Sequence, residues 1–310
     1  MTTYRLPRVL VLLATYNGAR WIEEQLASIL AQQGVELVVA ISDDRSTDDT
    51  VGVVRRLAAT RNNLAVTVRA TPSGSAGANF KGLLAEAALE GFDCVALADQ
   101  DDVWEPDHLA RGCAALQADP AAGGYSCAVR TFGAGEPAVL AQNPGVRPLD
   151  FLLEGAGQGC TFVLPLSTAR RVQSACRRLG DLTQHFHYHD WMIYLIVRSS
   201  GDGWIFDPSP SLRYRQHGAN EIGARSGDGA FRRRVDLIRS GWYARQVATA
   251  LSLASALAPS NTAVNRFRAV FDAAPSLARR AALARLLMRE GRRRLSDRIV
   301  LGVAALAGWI

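Results

Sequence analysis

Residues 97 to 104 read LADQDDVW, so that three carboxylates (Asp99, Asp101 and Asp102) and the amide Gln100 close an apolar run. Carboxylates crowded this closely repel one another and raise each other's pKa unless a cation or a hydrogen-bond donor sits among them. A divalent metal is the first candidate. The hard ions Mg²⁺ and Mn²⁺ bridge carboxylates to substrate phosphates, two sets of oxygens that would otherwise repel. A helix N-cap before EPDHLARGCAAL would use one acid, so three acids point beyond capping.

Two other polar clusters stand in the same relation to apolar runs. RVLVLLA (8–14) leads into Thr15, Tyr16 and Asn17, and ELVVAIS (36–42) leads into Asp43 and Asp44. Between them WIEEQLASILAQQ sets Trp21, Ile22, Leu26, Ile29 and Leu30 on one helical face. Ser46, with Asp49 three residues on, has the form of a helix capping pair. LAVTVRA (64–70), the Gly-rich turn PSGSAGANF, a helix to about Glu90 and the run DCVALA (93–98) continue the alternation. Strands buried on both faces and separated by helices predict an α/β fold, a Rossmann-like, mostly parallel sheet flanked by helices. Ligands of such sheets bind beyond the carboxyl ends of the strands, where all three polar clusters lie. GxGxxG, GxxxxGK[ST] and GxSxG are absent, which removes sequence support for dinucleotide binding, P-loop chemistry and the hydrolase elbow. A nucleotide diphosphate held through a metal suits the acidic site.

The 310 residues, 48% hydrophobic and 21% charged, suffice for one large domain or two modest ones. Five scattered cysteines without a CxxC pair suggest neither a disulfide framework nor a thiolate zinc site, and fit a reducing, cytoplasmic compartment. The apolar N-terminal run has no small-residue cleavage site and reads as a first strand rather than a signal. The net charge of +6 is unevenly spread. From Arg225 onward 16 Arg face five acids, whereas the preceding 224 residues carry a net −5. A basic helical tail behind an acidic body suits an anionic surface such as lipid headgroups better than nucleic acid, although a solvated face in an Arg-rich chain, where Lys81 is the only lysine, would look similar. The run after Arg298, about 18 Å long as a helix, is too short for a hydrocarbon core of about 30 Å.

ATYNG, SDDRSTDDT, ADQDDVW, QGCTFVLP, HDW and YRQHGANEIG occur in the order and approximate spacing of glycosyltransferase family 2, and residues 8 to 223 resemble its bacterial rhamnosyltransferase-like members. The resemblance implies a GT-A domain over 1–223, with a nucleotide-binding half (about 1–120) and an acceptor-side half (about 121–223), followed by the basic extension 224–310. It implies a metal-dependent, inverting hexosyltransferase of cell-surface polysaccharide synthesis, peripheral at the inner face of the cell membrane through its basic tail. The donor would be dTDP-L-rhamnose, with UDP-hexose or UDP-N-acetylhexosamine as the alternative, and the acceptor a glycan or a polyprenyl-linked glycan. A sugar nucleotidyltransferase would carry a Gly-rich, Arg-containing loop after the first strand, which ATYNGARW lacks, and a silent binding protein would not need acids at 44, 99, 101 and 190 together.

By the same resemblance Thr15, Tyr16 and Asn17 line the nucleobase pocket and Asp44 accepts the pyrimidine N3–H. Arg45 stands where the family usually has glycine. Asp99 and Gln100 lie at the nucleotide. Asp101 and His217, with Asp99, hold the metal, and Asp190 is the catalytic base. Asn79 and Lys81 are placed to reach the diphosphate or donor sugar. Gln158, Gly159, His189 and Trp191 belong to the acceptor side, where small residues of GAGQGCTF permit close backbone approach or simply a tight turn. His185, His187 and His189 alternate as zinc ligands on one strand face would, although polar loop residues near the cleft fit the segment better.

Overall fold

The computed structural model describes residues 5–141, 145–217 and 228–310. In chain order the elements are β1 (Arg8–Thr15), α1 (Ile22–Leu30), β2 (Glu36–Asp43), α2 (Thr50–Ala58), β3 (Leu64–Val68), α3 (Ala76–Glu86), β4 (Cys94–Ala98), β5 (Val103–Trp104) and α4 (His108–Ala118). The next are β6 (Ala122–Cys127), β7 (Val129–Gly133), β8 (Val139–Leu140), β9 (Val163–Pro165), α5 (Leu166–Arg178), α6 (Gly180–His185), α7 (His189–Ser199), β10 (Gly203–Asp207) and β11 (Leu212–Gln216). Five helices complete the chain: α8 (Asp228–Arg239), α9 (Trp242–Leu257), α10 (Thr262–Phe271), α11 (Leu277–Glu290) and α12 (Leu295–Ala307).

The strands form a seven-stranded sheet of order β10-β6-β9-β4-β1-β2-β3 and a four-stranded sheet of order β5-β11-β7-β8. β3, β2, β1 and β4 run parallel, and β9 is antiparallel to both β4 and β6. Alternation along β1 explains why this sheet sits between two helical layers. Val9, Val11 and Leu13 enter one core with α1, α2 and α4, while Leu10, Leu12 and Ala14 enter the other with α3, α5 and α7. Residues 121–217 supply β6, β9 and β10 to the same sheet, so the two expected halves share one layer. The expected boundary at 223 lies outside the described residues, as does the stretch 218–223 that ends the YRQHGANEIG motif.

The tail is continuous with this core. Val247, Leu251, Phe267, Leu287 and Leu301 belong to the same buried cluster as Ile193 and Leu195 of α7. No described helix is long and apolar enough to cross a membrane.

Local expectations shift in three places. α2 starts at Thr50, and Ser46 does not cap it: its hydroxyl donates to Asp43 Oδ2 (2.6 Å) and accepts from Asn17 N (2.8 Å). α3 begins inside the Gly-rich segment, capped by Ser75, whose Oγ accepts from Ala78 N, and it stops at Glu86 because Ala87 turns extended (ψ 136°). Finally, His185 ends α6 and His189 begins α7, so the three histidines share no strand face.

Candidate active site

The register between β1 and β2 pairs Thr15 with Asp43 and brings the two polar strand ends together. Thr15 is buried and its Oγ1 donates to Asp43 Oδ2 (2.8 Å), while Asp43 also accepts from Ser46 N and Oγ. Thr15 is therefore turned into a buried network and does not line a pocket, since its hydroxyl satisfies a carboxylate that has no access to water. Tyr16 is exposed, and its backbone is clasped by Gln100, which accepts from Tyr16 N and donates to Tyr16 O, both at 2.9 Å. The Gln100 amide thus ties β1 to the acidic loop. Asn17 adopts a left-handed backbone (φ 48°) and accepts from Thr47 N.

Asp44 is nearly buried and accepts from Ser73 N (2.6 Å) and Ser73 Oγ (2.8 Å). Ionised carboxylates have four lone-pair sites, which leaves acceptor capacity for a ring N–H. Arg45 takes φ 64°, a conformation that glycine adopts without strain. Its side chain donates to Ala70 O (2.8 Å), a bond that glycine would lack.

Asn79 and Lys81 are not where a donor could meet them. Asn79 is buried against Ser42, accepting from its hydroxyl (2.6 Å) and donating to its carbonyl (2.9 Å). Lys81, also buried, donates to the carbonyls of Thr183, Gln184 and Phe186 at 2.8–3.1 Å. These carbonyls close the C-terminal end of α6, which favours a cation, and Thr183 O accepts from Phe186 N (3.2 Å) as well. Burial lowers the Lys81 pKa all the same.

The acidic loop after β4 faces β11. Asp101 Oδ2 and His217 Nε2 lie 2.6 Å apart, and the His217 ring stacks on Trp21 at 4.2 Å between centroids. Arg215 holds this pair from two sides: its backbone N donates to Asp102 Oδ1 (3.0 Å), its Nε to Asp101 O (2.7 Å), and its terminal nitrogen pairs with Glu24. The donor atoms of Asp99, Asp102 and Cys160 lie within 4.8 Å of one another. Burial, followed by the charges of Asp101 and Asp99, pushes the Asp102 carboxyl well above the usual range. Burial, followed by the charges of Asp102, Asp99 and Asp101, pushes the Cys160 thiol up. The carboxylate oxygens of Asp99 and Asp102 suit Mg²⁺ or Mn²⁺ better than a softer ion, while the expected ligands Asp101 and His217 are paired with each other beside them.

Asp190 stands in the first turn of α7, where the helix dipole favours negative charge, and its Oδ1 accepts from Trp191 N (2.6 Å). His189 stacks on Phe80 at 4.2 Å, and burial, with the charge of Lys81, pushes its pKa down to about 3. It is a neutral ring and a weak base. Trp191 is not an acceptor contact. Its ring is buried, its Nε1 donates to Phe151 O (2.8 Å), and it packs on Phe186 and Tyr243. Gln158 O accepts from Thr161 N and Oγ1, opening a short 3-10 turn.

That turn joins the two sides. A Cβ on Gly159 would lie 2.6 Å from His189 Nε2 and 3.3 Å from Asp190 Cβ, whereas the next residue, Cys160, reaches Asp99 and Asp102. Two adjacent residues thus approach the start of α7 and the acidic cluster. Sequence reasoning missed Cys160, Ser73 and Arg215. Arg215 lies two residues before His217 inside YRQHGANEIG and Cys160 lies inside QGCTFVLP, so both stood in quoted motifs, whereas Ser73 stood in the Gly-rich turn.

The family model "Glycosyl transferase family 2" matches residues 10–197. A dTDP-rhamnosyl transferase of Shigella flexneri, RfbG, is 31% identical over 258 residues, which span 82% of this chain and 87% of that protein. Among solved structures, S. aureus TarS 1-349 in complex with UDP-GlcNAc superposes with a TM-score of 0.56 at 16% identity, covering 91% of this chain and 72% of that one. Mannosyltransferase PcManGT from Pyrobaculum calidifontis, in complex with GDP-Man and Mn²⁺, gives 0.53 at 24% identity over 98% of this chain and 87% of that one. At these identities the two structures speak for the fold alone, that of GT-A glycosyltransferases.

Proposed function

Because the chain belongs to glycosyl transferase family 2, we propose that it is a metal-dependent, inverting rhamnosyltransferase that moves L-rhamnose from dTDP-L-rhamnose to a glycan or lipid-linked acceptor in cell-surface polysaccharide synthesis. The observation that carries the reading is the turn at Gly159 and Cys160, which puts a carboxylate outside the acidic cluster, Asp190, within one residue's reach of that cluster. Inverting transfer needs this separation: one group of ligands for the leaving diphosphate and one carboxylate outside that group for the acceptor.

Asp101, His217 and Asp99 would hold Mg²⁺ or Mn²⁺, which when bound neutralises charge on the departing diphosphate. Asp44, fixed by Ser73, accepts the N3–H of the thymine ring. The carboxylate of Asp190 takes the proton of the acceptor hydroxyl as its oxygen bonds to the anomeric carbon. The bond from that carbon to the diphosphate oxygen breaks, dTDP leaves with the electron pair, and the configuration inverts. His189, held neutral beside Asp190, orients the acceptor side and does not compete for the proton. The net +11 beyond residue 224 supports a peripheral place at the cytoplasmic face of the membrane.

A screen of nucleotide-sugars for protection against thermal unfolding, with and without Mn²⁺, tests the donor, because a ligand of the native state raises stability by mass action. Metal-dependent protection by dTDP-rhamnose is expected. Protection by UDP-sugars alone would move the donor to a UDP-hexose, and metal-independent protection would contradict the ligand set.

A further inference from the structure

Among the described residues eleven large hydrophobic side chains are exposed, and six of them fall between 277 and 309. Single exposed apolar residues are ordinary, but a contiguous set marks a surface that something covers. On α12, Leu295, Ile299, Val303 and Leu306 follow helical spacing and all lie within about a quarter turn, at roughly 100° per residue. They are 49–56% exposed, with Trp309 just beyond them. The opposite side of α12 (Leu301, Ala304, Ala305) is buried, so the stripe is the outward face of a firmly packed helix.

The surroundings of the stripe are cationic. α11 and α12 pack antiparallel, as the Arg280 bond to Leu306 O and the approach of Gly302 to Met288 and Ala284 show. From 273 to 310 there are eight Arg and two acids, and both acids are paired: Glu290 with Arg266 and Asp297 with Arg292. Arg285, Arg289 and Arg294 are exposed, and Arg239 lies over the Trp309 ring at 5.4 Å. A second copy of such a face would bring guanidinium against guanidinium, whereas anionic headgroups complement it. At 13 residues α12 spans about 20 Å and cannot cross a bilayer, but an apolar stripe flanked by Arg is the pattern of a helix lying in the interface.

We infer that α12 is a membrane-insertion face, seating Leu295, Ile299, Val303, Leu306 and Trp309 among the acyl chains of an anionic bilayer while the arginines meet the headgroups. The inference rests on the peripheral location proposed above and adds to it an apolar contact that salt does not screen. It also places the bilayer. Two residues before the stripe, Arg293 donates to Gly155 O (2.6 Å), and Arg292 donates to Leu153 O (3.0 Å), on the segment that leads to Gly159 and Asp190. A bilayer held by α12 is thereby held beside the acceptor edge, where a lipid-linked acceptor would arrive.

The test is flotation of the full chain with phosphatidylcholine vesicles, with and without phosphatidylglycerol, at low and high salt. It compares wild type with the double variant Ile299→Asp, Val303→Asp. These side chains face water, so the variant should keep its melting temperature and its protection by dTDP. Wild type should float with the anionic vesicles and remain partly bound at high salt, and the variant's bound fraction should fall about tenfold. Trp309 should be quenched by brominated acyl chains, with Trp309→Phe as the baseline for the other five tryptophans. Equal flotation of the two proteins, no flotation of wild type, or unquenched Trp309 would overturn the inference. A wild-type dimer that the double variant dissolves would assign the face to a second copy instead. If flotation behaves as expected and dTDP gives no protection, the transferase reading fails and the membrane face stands.

Discussion

The edges proposed for donor and for acceptor are built in opposite ways. At the donor edge each polar residue directly follows a parallel strand and is fixed by bonds to other strand ends, such as Thr15 to Asp43 and Gln100 to Tyr16. At the acceptor edge the start of α7 is held from far along the chain. Lys81 donates to the end of α6, Gln246 accepts from His187 N, Tyr243 donates to Leu153 O, and Arg293 reaches Gly155. A site at strand ends comes with the fold of the sheet, whereas a helix N-terminus aimed at it has to be buttressed. It follows that damage to the donor edge should appear in nucleotide binding, and damage to the buttress in turnover.

The sharpest separation should come from Asp190→Asn, which keeps shape and loses the proton acceptor. Transfer is expected to fall by roughly 10²-fold to 10⁴-fold, with donor binding unchanged in a parallel titration. Near-normal turnover would move the base elsewhere, and His189 is a poor substitute at a pKa of about 3.

Arg293→Leu should cost about 3–5 kcal/mol in denaturant unfolding, because it leaves Asp150 buried with its nearest cation removed. A double change with Asp150→Leu should recover part of that loss. Lys81→Met strips the donor from three carbonyls and should cost about 1–3 kcal/mol, lowering turnover while leaving nucleotide affinity alone. If either variant instead weakened dTDP binding, the two edges would not be independent. Arg45→Gly, on the donor edge, should have the smallest effect. Relief of the left-handed strain is offset by chain entropy and by the lost bond to Ala70 O, so the expected stability change is within about 1 kcal/mol, upward.

The same contrast explains what could be read from the sequence. β1, β2 and β4, with the polar clusters at their ends, were legible because parallel strands buried on both faces are nearly unbroken apolar runs, and the more exposed edge strand β3 was placed by the alternation around it. β6 was not, since Gly123 and Gly124 break the apolar signal; both are needed there because Val197, Asp202 and Trp204 press on the strand where a Cβ would stand. Lys81 and Asn79 looked like ligands from their place after a Gly-rich segment, but α3 turns both inward, and only the partners at 183–186 and at Ser42 reveal their role. Cys160 carried no sign of its neighbours, because its proximity to Asp99 and Asp102 arises from tertiary packing of the turn against β4. The tail read as a basic extension, and its charge hid the apolar side that joins α7 in one core.

The central claim is that the acids of the 99–102 loop and His217 bind the donor through a metal while Asp190 serves the acceptor. Calorimetric titration of dTDP in the presence of Mn²⁺ tests it most directly, with wild type, Asp101→Ala and Asp190→Asn side by side. Asp101→Ala should lose most of its metal-dependent affinity and Asp190→Asn should match wild type. Undiminished, metal-dependent binding by Asp101→Ala, or a comparable loss in Asp190→Asn, would contradict the division of the site.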